Sequence, residues 1–558
     1  MNELYYGDNL EILQNHIADE SVDLCYIDPP FNSNRDYNQI YNNVVTKDRA
    51  QAQAFEDTWE WDDEAIRGFR RFDMSKTKAE IEVLNKTAYK MNFKKYEKTC
   101  LLINGLARVL GEGSMLAYLL SLTQRIIEIH RVLKPTGSFY LHCDPTASHY
   151  LKLVIDSVFC EKGGDFKNEI VWRRHYSHND GKKFGCIHDI ILFYTKSNSY
   201  TYNRQHFAYS DEYKLKSYNN IDEITQRRFR SVSMNAQGQG EAKYFGDKLL
   251  EPPKGTHWRW SQERINENLE KGIIYFTKNG VPRYKQFLDE MSGIPVQDTW
   301  TEFYGLSSHD KERLGYPTQK PEALMDIIIN ASSNIGDVVL DAYCGCGTTV
   351  AVAQRLKRKW LGIDITYQSI TVIIKRLTET YGNKILKNIS INGIPKDIES
   401  ARALSTQSAS RKEFEIWSIM TFSDNKAIPN EKRGSDKGID GRMEITVSHN
   451  FDRGNILFSV KSGHVSVAQI RDFLHVIERE KAAAGVFITL EEPTKPMIQE
   501  AKAVGQFYNS LTGTSFDKLQ IVTIQEILNG ARANFPNTSA VLNEAQRKTE
   551  NTQEKLNL

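Results

Sequence analysis

Two periods of apolar spacing run along the chain. Apolar residues three and four apart predict helices over 10–17, 115–133 and 321–332, and short unbroken apolar runs predict buried strands at 22–27, 138–142, 338–341 and 360–363. The first run halts on Asp28, Pro29 and Pro30, and the second is launched from a Pro-Gly turn. This helix, turn and buried-strand cadence over 1–165 and again over 316–400 predicts an α/β fold with a parallel sheet. Between them, over 166–315, the cadence gives way to interleaved basic and aromatic residues, as in Trp172, Arg173, Arg174, Lys182, Lys183, Arg228 and Arg230. That segment reads as an insert, either a nucleic-acid-reading module or a solvated face of a small β-rich subdomain. A Ser-rich stretch at 401–411 reads as a linker. A second α/β unit follows over 412–535, with helices at 413–422 and 467–481 and strands near 444–447, 456–460 and 485–490; 536–558 reads as a polar, mobile tail.

Composition adds bounds. At 558 residues the chain exceeds one hydrophobic core, and 40% hydrophobic with 26% charged residues is ordinary globular usage. No apolar run approaches the roughly 18–20 residues of a membrane helix, so no membrane partner is expected. The start lacks a basic segment followed by an apolar one, and the seven cysteines are scattered, which makes a reducing cytoplasm the expected compartment. Lys+Arg 72 against Asp+Glu 71 argues at first sight against a polyanionic partner, yet a basic cleft can hide within a neutral total.

Two clusters carry chemistry. In VVLDAYCGCGTT, Gly345 and Gly347 sit between a buried strand and a helix, with Asp341 at the strand's carboxyl end and a second acid, Asp364, ending the next strand. Such a turn admits close backbone approach of a ligand, and Asp364 is placed to accept from a ribose. No Walker A lysine follows and Val350 stands where a dinucleotide site wants a third glycine, so a pyrophosphate is disfavoured. Cys344 and Cys346 read as packing residues rather than metal ligands. In Asp28-Pro29-Pro30-Phe31, the acid and the rigid Pro29 carbonyl can accept from an exocyclic base amine and free its lone pair, while Phe31 stacks on a flipped base; the bland alternative is a strand-ending turn.

With YPTQKP between them, these motifs over residues 1–395 resemble the site-specific DNA amino-methyltransferases that depend on S-adenosylmethionine, in the circularly permuted beta-class order. The resemblance implies a permuted Rossmann-like core with an inserted recognition subdomain acting on double-stranded DNA. It places Asp341, Gly345, Gly347 and Thr348 around the methionine part of the cofactor, Asp364 at its ribose, Asp8 beside its adenine, and Thr318, Gln319 and Lys320 over the methionine end. Trp172 and the basic insert match the target-recognition region. Direct in-line transfer to adenine N6 is expected; cytosine N4 is the alternative, although such enzymes more often carry Ser at position 28, and Phe31 stands where Tyr is more usual. The family allows a homodimer.

In the C-terminal unit, Asp440 and Lys461 lie where an acid starting one strand and a lysine on the next share a sheet edge, the acid to hold Mg2+ and the lysine to support an attacking water. GSDKGIDG and ILFSVKSG resemble the Mrr-type restriction endonuclease domain of the PD-(D/E)xK nucleases, an α/β fold. Ser459 replaces the usual acid or Gln, so Glu413 or Glu415 is expected to complete the site. The further alternative is a bifunctional restriction–modification enzyme whose Mg2+-dependent DNA cleavage is the main activity.

Overall fold

The computed structural model describes residues 2–30, 36–38, 53–56, 65, 72, 96–176, 184–307, 310–314, 316, 318–406, 411–424, 426–430, 438–447, 453–510, 512–533 and 535. The expected positions Phe31, Lys182 and Lys183 and the tail 536–558 lie outside the described residues.

One nine-stranded sheet positions the site. Its strands in chain order are β1 (Asn2–Tyr6), β2 (Val22–Ile27), β3 (Leu133–Cys143), β4 (Asp165–Arg173), β5 (His188–Thr195), β6 (Thr299–Trp300), β7 (Val338–Asp341), β8 (Lys359–Asp364) and β9 (Ile389–Asn392). Across the sheet they run β6-β4-β5-β3-β2-β7-β8-β1-β9. From β3 to β9 every pairing is parallel, and β5 is antiparallel to both its neighbours. A parallel strand covered on both faces must be apolar throughout, which is why β2 and β7 read as unbroken runs. The first two strands interleave with the last ones: β1 lies between β8 and β9, and β2 between β3 and β7. The ends of the chain's two α/β stretches therefore meet at one edge.

Helices α1 (Asn9–His16), α2 (Ser114–Val132), α3 (Glu322–Ser332), α4 (Thr348–Arg355) and α5 (Tyr367–Tyr381) surround these strands. The spacing in α2 predicts an amphipathic helix, yet even Gln124, Arg125, Glu128 and His130 are buried in it. Burial of these polar groups is tolerated because they are bonded, as where Gln124 Nε2 donates to the Leu120 carbonyl (3.2 Å) and Glu128 pairs with Arg131 (2.7 Å).

The insert is shorter than the sequence suggests. β4, β5 and β6 belong to the large sheet, and the separate compact unit runs over 204–297. Its four-stranded antiparallel sheet has the order Ile274–Phe276, Pro282–Phe287, Arg228–Ser233, Asn220–Ile221, beside a small core of Met234, Phe245, Trp258, Ile265 and Ile274. The basic residues at the end of β4 obscured the strand period.

The C-terminal sheet has the order β10 (Ile428–Pro429), β11 (Gly441–Thr446), β12 (Arg453–Lys461), β13 (Ala484–Thr489), β14 (Leu519–Thr523). The expected linker at 401–411 is in part helix, Ile398–Thr406, with Ala401 and Ser405 buried. Helix α6 (Arg411–Phe422) meets α5 through Thr421 Oγ1, 2.9 Å from Tyr367 Oη, and Tyr367 in turn packs edge-to-face on Tyr6. Among the described residues no helix is long and apolar enough to cross a membrane.

Candidate active site

Four neighbouring strands, β2, β7, β8 and β1, end in or just before an aspartate: Asp28, Asp341, Asp364 and Asp8. Carboxyl ends of parallel strands open toward the ligand face of such sheets. Here they line one cavity of about 310 Å³, with Pro29, Pro30, Thr318, Gln319, Lys320, Gly345 and Thr348. Sequence positions far apart are thus brought together.

The glycine turn is shaped by backbone demands. Gly345 and Gly347 have φ of 48° and 74°, and a Cβ on Gly347 would lie 2.5 Å from Ile373 Cγ1, so that position takes nothing larger. Gly347 caps α4, whose first residue Thr348 donates through Oγ1 to the Lys320 carbonyl (3.2 Å). Asp364 accepts from Gly345 N–H (2.8 Å) and from Thr366 N–H and Oγ1 (2.9 and 2.8 Å), which locks the turn onto β8. Burial raises the Asp364 carboxyl above its usual range.

Asp341 accepts from Tyr343 N–H (3.0 Å). Burial pushes its carboxyl up to about 7; hydrogen bonds from Thr349 and Tyr343 oppose the rise, and the charges of Asp28 and Asp364 add to it. Two buried carboxylates on adjacent strands leave a site short of positive charge, and a cationic ligand with a nucleoside part would relieve it. The donor set therefore fits S-adenosylmethionine, which carries a sulfonium and an ammonium charge and a ribose with hydroxyl donors.

Asp8 is placed at the cavity but its carboxylate is already engaged. Oδ1 caps α1 by accepting from Leu10 and Glu11 N–H (2.8 and 3.2 Å), and Oδ2 pairs with Arg125 (2.8 Å). Gln319 is likewise turned inward, donating to the Glu312 carbonyl (2.7 Å) and accepting from Leu314 N–H (2.8 Å), so it shapes the loop beneath Thr318. Thr318 itself has φ of 59°, a left-handed conformation that costs a β-branched residue energy and marks the loop as held for a purpose. Lys320 Nζ pairs with Asp28 Oδ2, at the end of β2, while its carbonyl accepts from Thr348 Oγ1 at the glycine turn.

Several lining residues escaped the motifs. Arg125 comes from the middle of α2, Tyr316 lies over Gly345 and meets Ser369 Oγ (2.9 Å), and Asn9 Nδ2 donates to the Ala342 carbonyl (2.8 Å). Tyr316 sat in the YPTQKP segment and was the one legible signal; Arg125 and Asn9 have none. Behind Asp28, His142 Nδ1 lies 4.0 Å from its Oδ1 and 2.8 Å from Tyr26 Oη.

The expected DNA contacts divide. Trp172 is fully buried within β4, its indole N–H donating to the Phe303 carbonyl (3.1 Å) and its ring edge-on to His142, so it is a core residue and not a base-reading one. Arg174 is held by Asp189 (3.1 Å), and Arg173 lies over the Tyr304 ring, 5.2 Å from its centroid. In the insert unit Arg228 is exposed, while Arg230 bonds Gln286 Oε1 across the strand pair.

The residues expected at a Mg2+ site, as far as they are described, are engaged with the protein itself. Asp440 is buried, and its Oδ2 accepts from Val460 N–H (2.7 Å) and Ser459 Oγ (3.3 Å), with Lys461 Nζ at 3.8 Å. Glu415 pairs with Lys412 (3.0 Å), and the charge of Glu413 adds to burial in raising the Tyr6 hydroxyl. Among the described residues no group of three acids, histidines or cysteines could hold a metal ion.

A family model described as DNA methylase matches residues 22–375, and one described as restriction endonuclease matches 406–507. The chain is similar to the type II methyltransferase M.EcaI of Enterobacter cloacae, 33% identical over 47% of this chain and 57% of that protein. It is similar also to the type III restriction-modification enzyme StyLTI Mod subunit of Salmonella typhimurium, 24% identical over 63% of this chain and 50% of that protein. The DNA adenine methyltransferase YhdJ of Escherichia coli is 28% identical over 45% of this chain and 64% of that protein. The matches thus span about half to two thirds of these relatives' lengths.

Proposed function

Because the chain belongs to the DNA methylase family, we propose that it moves a methyl group from S-adenosylmethionine to the exocyclic N6 of an adenine flipped out of double-stranded DNA. One observation carries this reading: Asp28 and the Asp341–Gly347 turn, from opposite ends of the sequence motifs, line the same cavity on adjacent strands. Asp28 rather than Ser at the strand end, together with the likeness to a protein named as an adenine methyltransferase, favours adenine over cytosine.

S-adenosylmethionine supplies an electrophilic methyl carbon. The chain's own groups do the rest. Asp28 accepts a hydrogen bond from the base amine, which draws the nitrogen's lone pair out of conjugation with the ring, and Pro29 and Pro30 hold the strand end rigid because their φ angles are fixed. Lys320 neutralises Asp28 until the amine arrives and then has Asp28 Oδ2 to share with it. Asp341 and Asp364 anchor the cofactor's cationic and ribose ends. Arg228 on the insert unit is a phosphate contact of the kind that gives affinity without sequence information. The C-terminal domain is a restriction-endonuclease-like module, and no Mg2+-dependent cleavage step is derived from Asp440.

The test is transfer of a methyl label from S-adenosylmethionine to duplex DNA, with digestion of the product to nucleosides. N6-methyl-2′-deoxyadenosine is expected, and Asp28→Ala should lower transfer by at least about 10²-fold while leaving cofactor binding intact. Label in N4-methylcytosine, or full transfer by Asp28→Ala, would reject the reading.

A further inference from the structure

Methylation of an amine leaves a proton to be placed. As the new N–C bond forms and the methyl–sulfur bond breaks, the nitrogen becomes a cation and must lose one H+ to give the neutral methylamine; no oxidant or reductant enters. The cavity wall beyond Asp28 holds groups suited to that proton which the transfer step itself does not need.

His142, on β3, is fully buried between three elements. From the end of β2 come Asp28, 4.0 Å from Nδ1, and Tyr26, whose hydroxyl lies 2.8 Å from Nδ1 and which itself lines the cavity. From β5 comes Asp189, 3.0 Å from Nε2 and almost fully buried. From the end of β4 comes Arg174, 3.1 Å from Asp189, and from the loop before α3 comes Lys320, paired with Asp28. Burial raises the Asp189 carboxyl, but the hydrogen bond and charge of His142, with Arg174 and Lys320, bring it to a net value below its usual range. An anionic Asp189 accepts a hydrogen bond, so Nε2 carries the proton in neutral imidazole and the Nδ1 lone pair faces Tyr26 and Asp28. That tautomer points a proton acceptor at the catalytic carboxylate from the protein interior.

We propose that His142, oriented by Asp189, is a positioning residue that takes up the proton shed by the methylated amine by way of Asp28 and the Tyr26 hydroxyl, so that Asp28 is returned to its anionic form. The inference rests on the methyltransferase reading above. In the step, the N–H bond of the aminium breaks, Asp28 Oδ1 receives H+, and a proton reaches Nδ1, leaving an imidazolium braced by Asp189; release of product opens the pocket and the proton passes to solvent. A buried imidazolium would be costly alone, and the Asp189 carboxylate at Nε2 is what makes it tolerable.

The test is multiple-turnover methyl transfer by the full chain with saturating cofactor and duplex DNA, followed from acid to alkaline pH and set beside the rate of the first turnover. The wild type should show an acid limb in the transfer rate, because a protonated His142 cannot accept. Asp189→Asn and His142→Gln should lower the rate about 10²-fold at neutral pH and displace or abolish that limb, with cofactor affinity unchanged. Tyr26→Phe should slow transfer through loss of the hydroxyl that meets His142 Nδ1, and serves if either buried polar substitution loses cofactor binding. A wild-type rate flat through acid pH, or variants that keep the wild-type profile at whatever rate, would overturn the proposal. If the wild type labels no DNA, the functional reading fails instead; label with an unmoved profile sinks only the proton path.

Discussion

Asp341 is the residue whose chemistry is most altered by its place in the fold. In the sequence it is an acid ending a strand; in the structure burial lifts its carboxyl to about 7. The sign of the consequence is fixed by linkage. A cationic cofactor prefers the carboxylate, so below about 7 binding must expel a proton, and affinity should rise with pH up to that value and level off above it, by as much as about tenfold per pH unit on the rising part. The same shift acts oppositely on folding. The unfolded chain releases this proton near 4 and the folded chain near 7, so this group's contribution to stability is greatest in acid and declines as pH rises through that interval. Calorimetric titration of S-adenosylmethionine across pH, in buffers of different ionisation enthalpy, checks the binding side; Asp341→Asn should remove the slope and weaken binding. A pH-independent affinity in the wild type would refute the placement of a cation here. The places of Asp28 and of the glycine turn at the cavity were legible at this scale because proline, glycine and a strand-ending acid leave few local options. Arg125, Asn9 and His142 were not, because their chemistry comes from neighbours supplied by other elements.

Among elements, β4 shows where a local pattern misleads. Trp172, Arg173 and Arg174 look like a nucleic-acid-reading cluster, yet pairing with β5 and with Thr299–Trp300 draws the strand into the main sheet and turns the indole inward. Trp172→Ala should therefore cost about 3–5 kcal/mol of stability through the cavity it leaves, and should lower the melting temperature with or without DNA. Arg228→Ala, on an exposed strand of the insert unit, should leave melting unchanged and weaken duplex binding with a shallower dependence on salt. Paired thermal melts and binding isotherms at several salt concentrations separate the two, and an unchanged melting point for Trp172→Ala would restore it as a surface residue. Helix α2 differs from its spacing for a related reason: it lies beneath the sheet with helices on its sides, so its polar positions are covered too and find partners within the fold.

At the scale of the molecule, a methyltransferase core, an inserted unit over 204–297 and a restriction-endonuclease-like domain share one chain. The last of these keeps its fold, with Asp440 serving the sheet: its carboxylate satisfies Val460 N–H and Ser459 Oγ. Asp440→Ala strands those donors and should destabilise the domain by about 1–3 kcal/mol, and neither Mg2+ nor its removal by chelation should move the wild-type melting curve. Stabilisation by Mg2+ that disappears in Asp440→Ala would show a metal site after all. The neutral balance of 72 basic against 71 acidic residues is a sum over unlike parts, with acids gathered at the ends of β2, β7 and β8 and Arg228 exposed on the insert. The sequence by itself determined the α/β class, the buried strands, the permuted motif order and the turns at Asp28–Pro30 and Gly345–Gly347, because apolar period, proline and glycine act within a few residues. Only the tertiary structure decided that β1 and β2 interleave with β8 and β7, that Lys320 and His142 attend Asp28, that Trp172 is core, and that Asp440 accepts from Val460 N–H. Those outcomes depend on long-range strand pairing, whose free energy comes from burying residues that are far apart along the chain and leave no joint pattern in it.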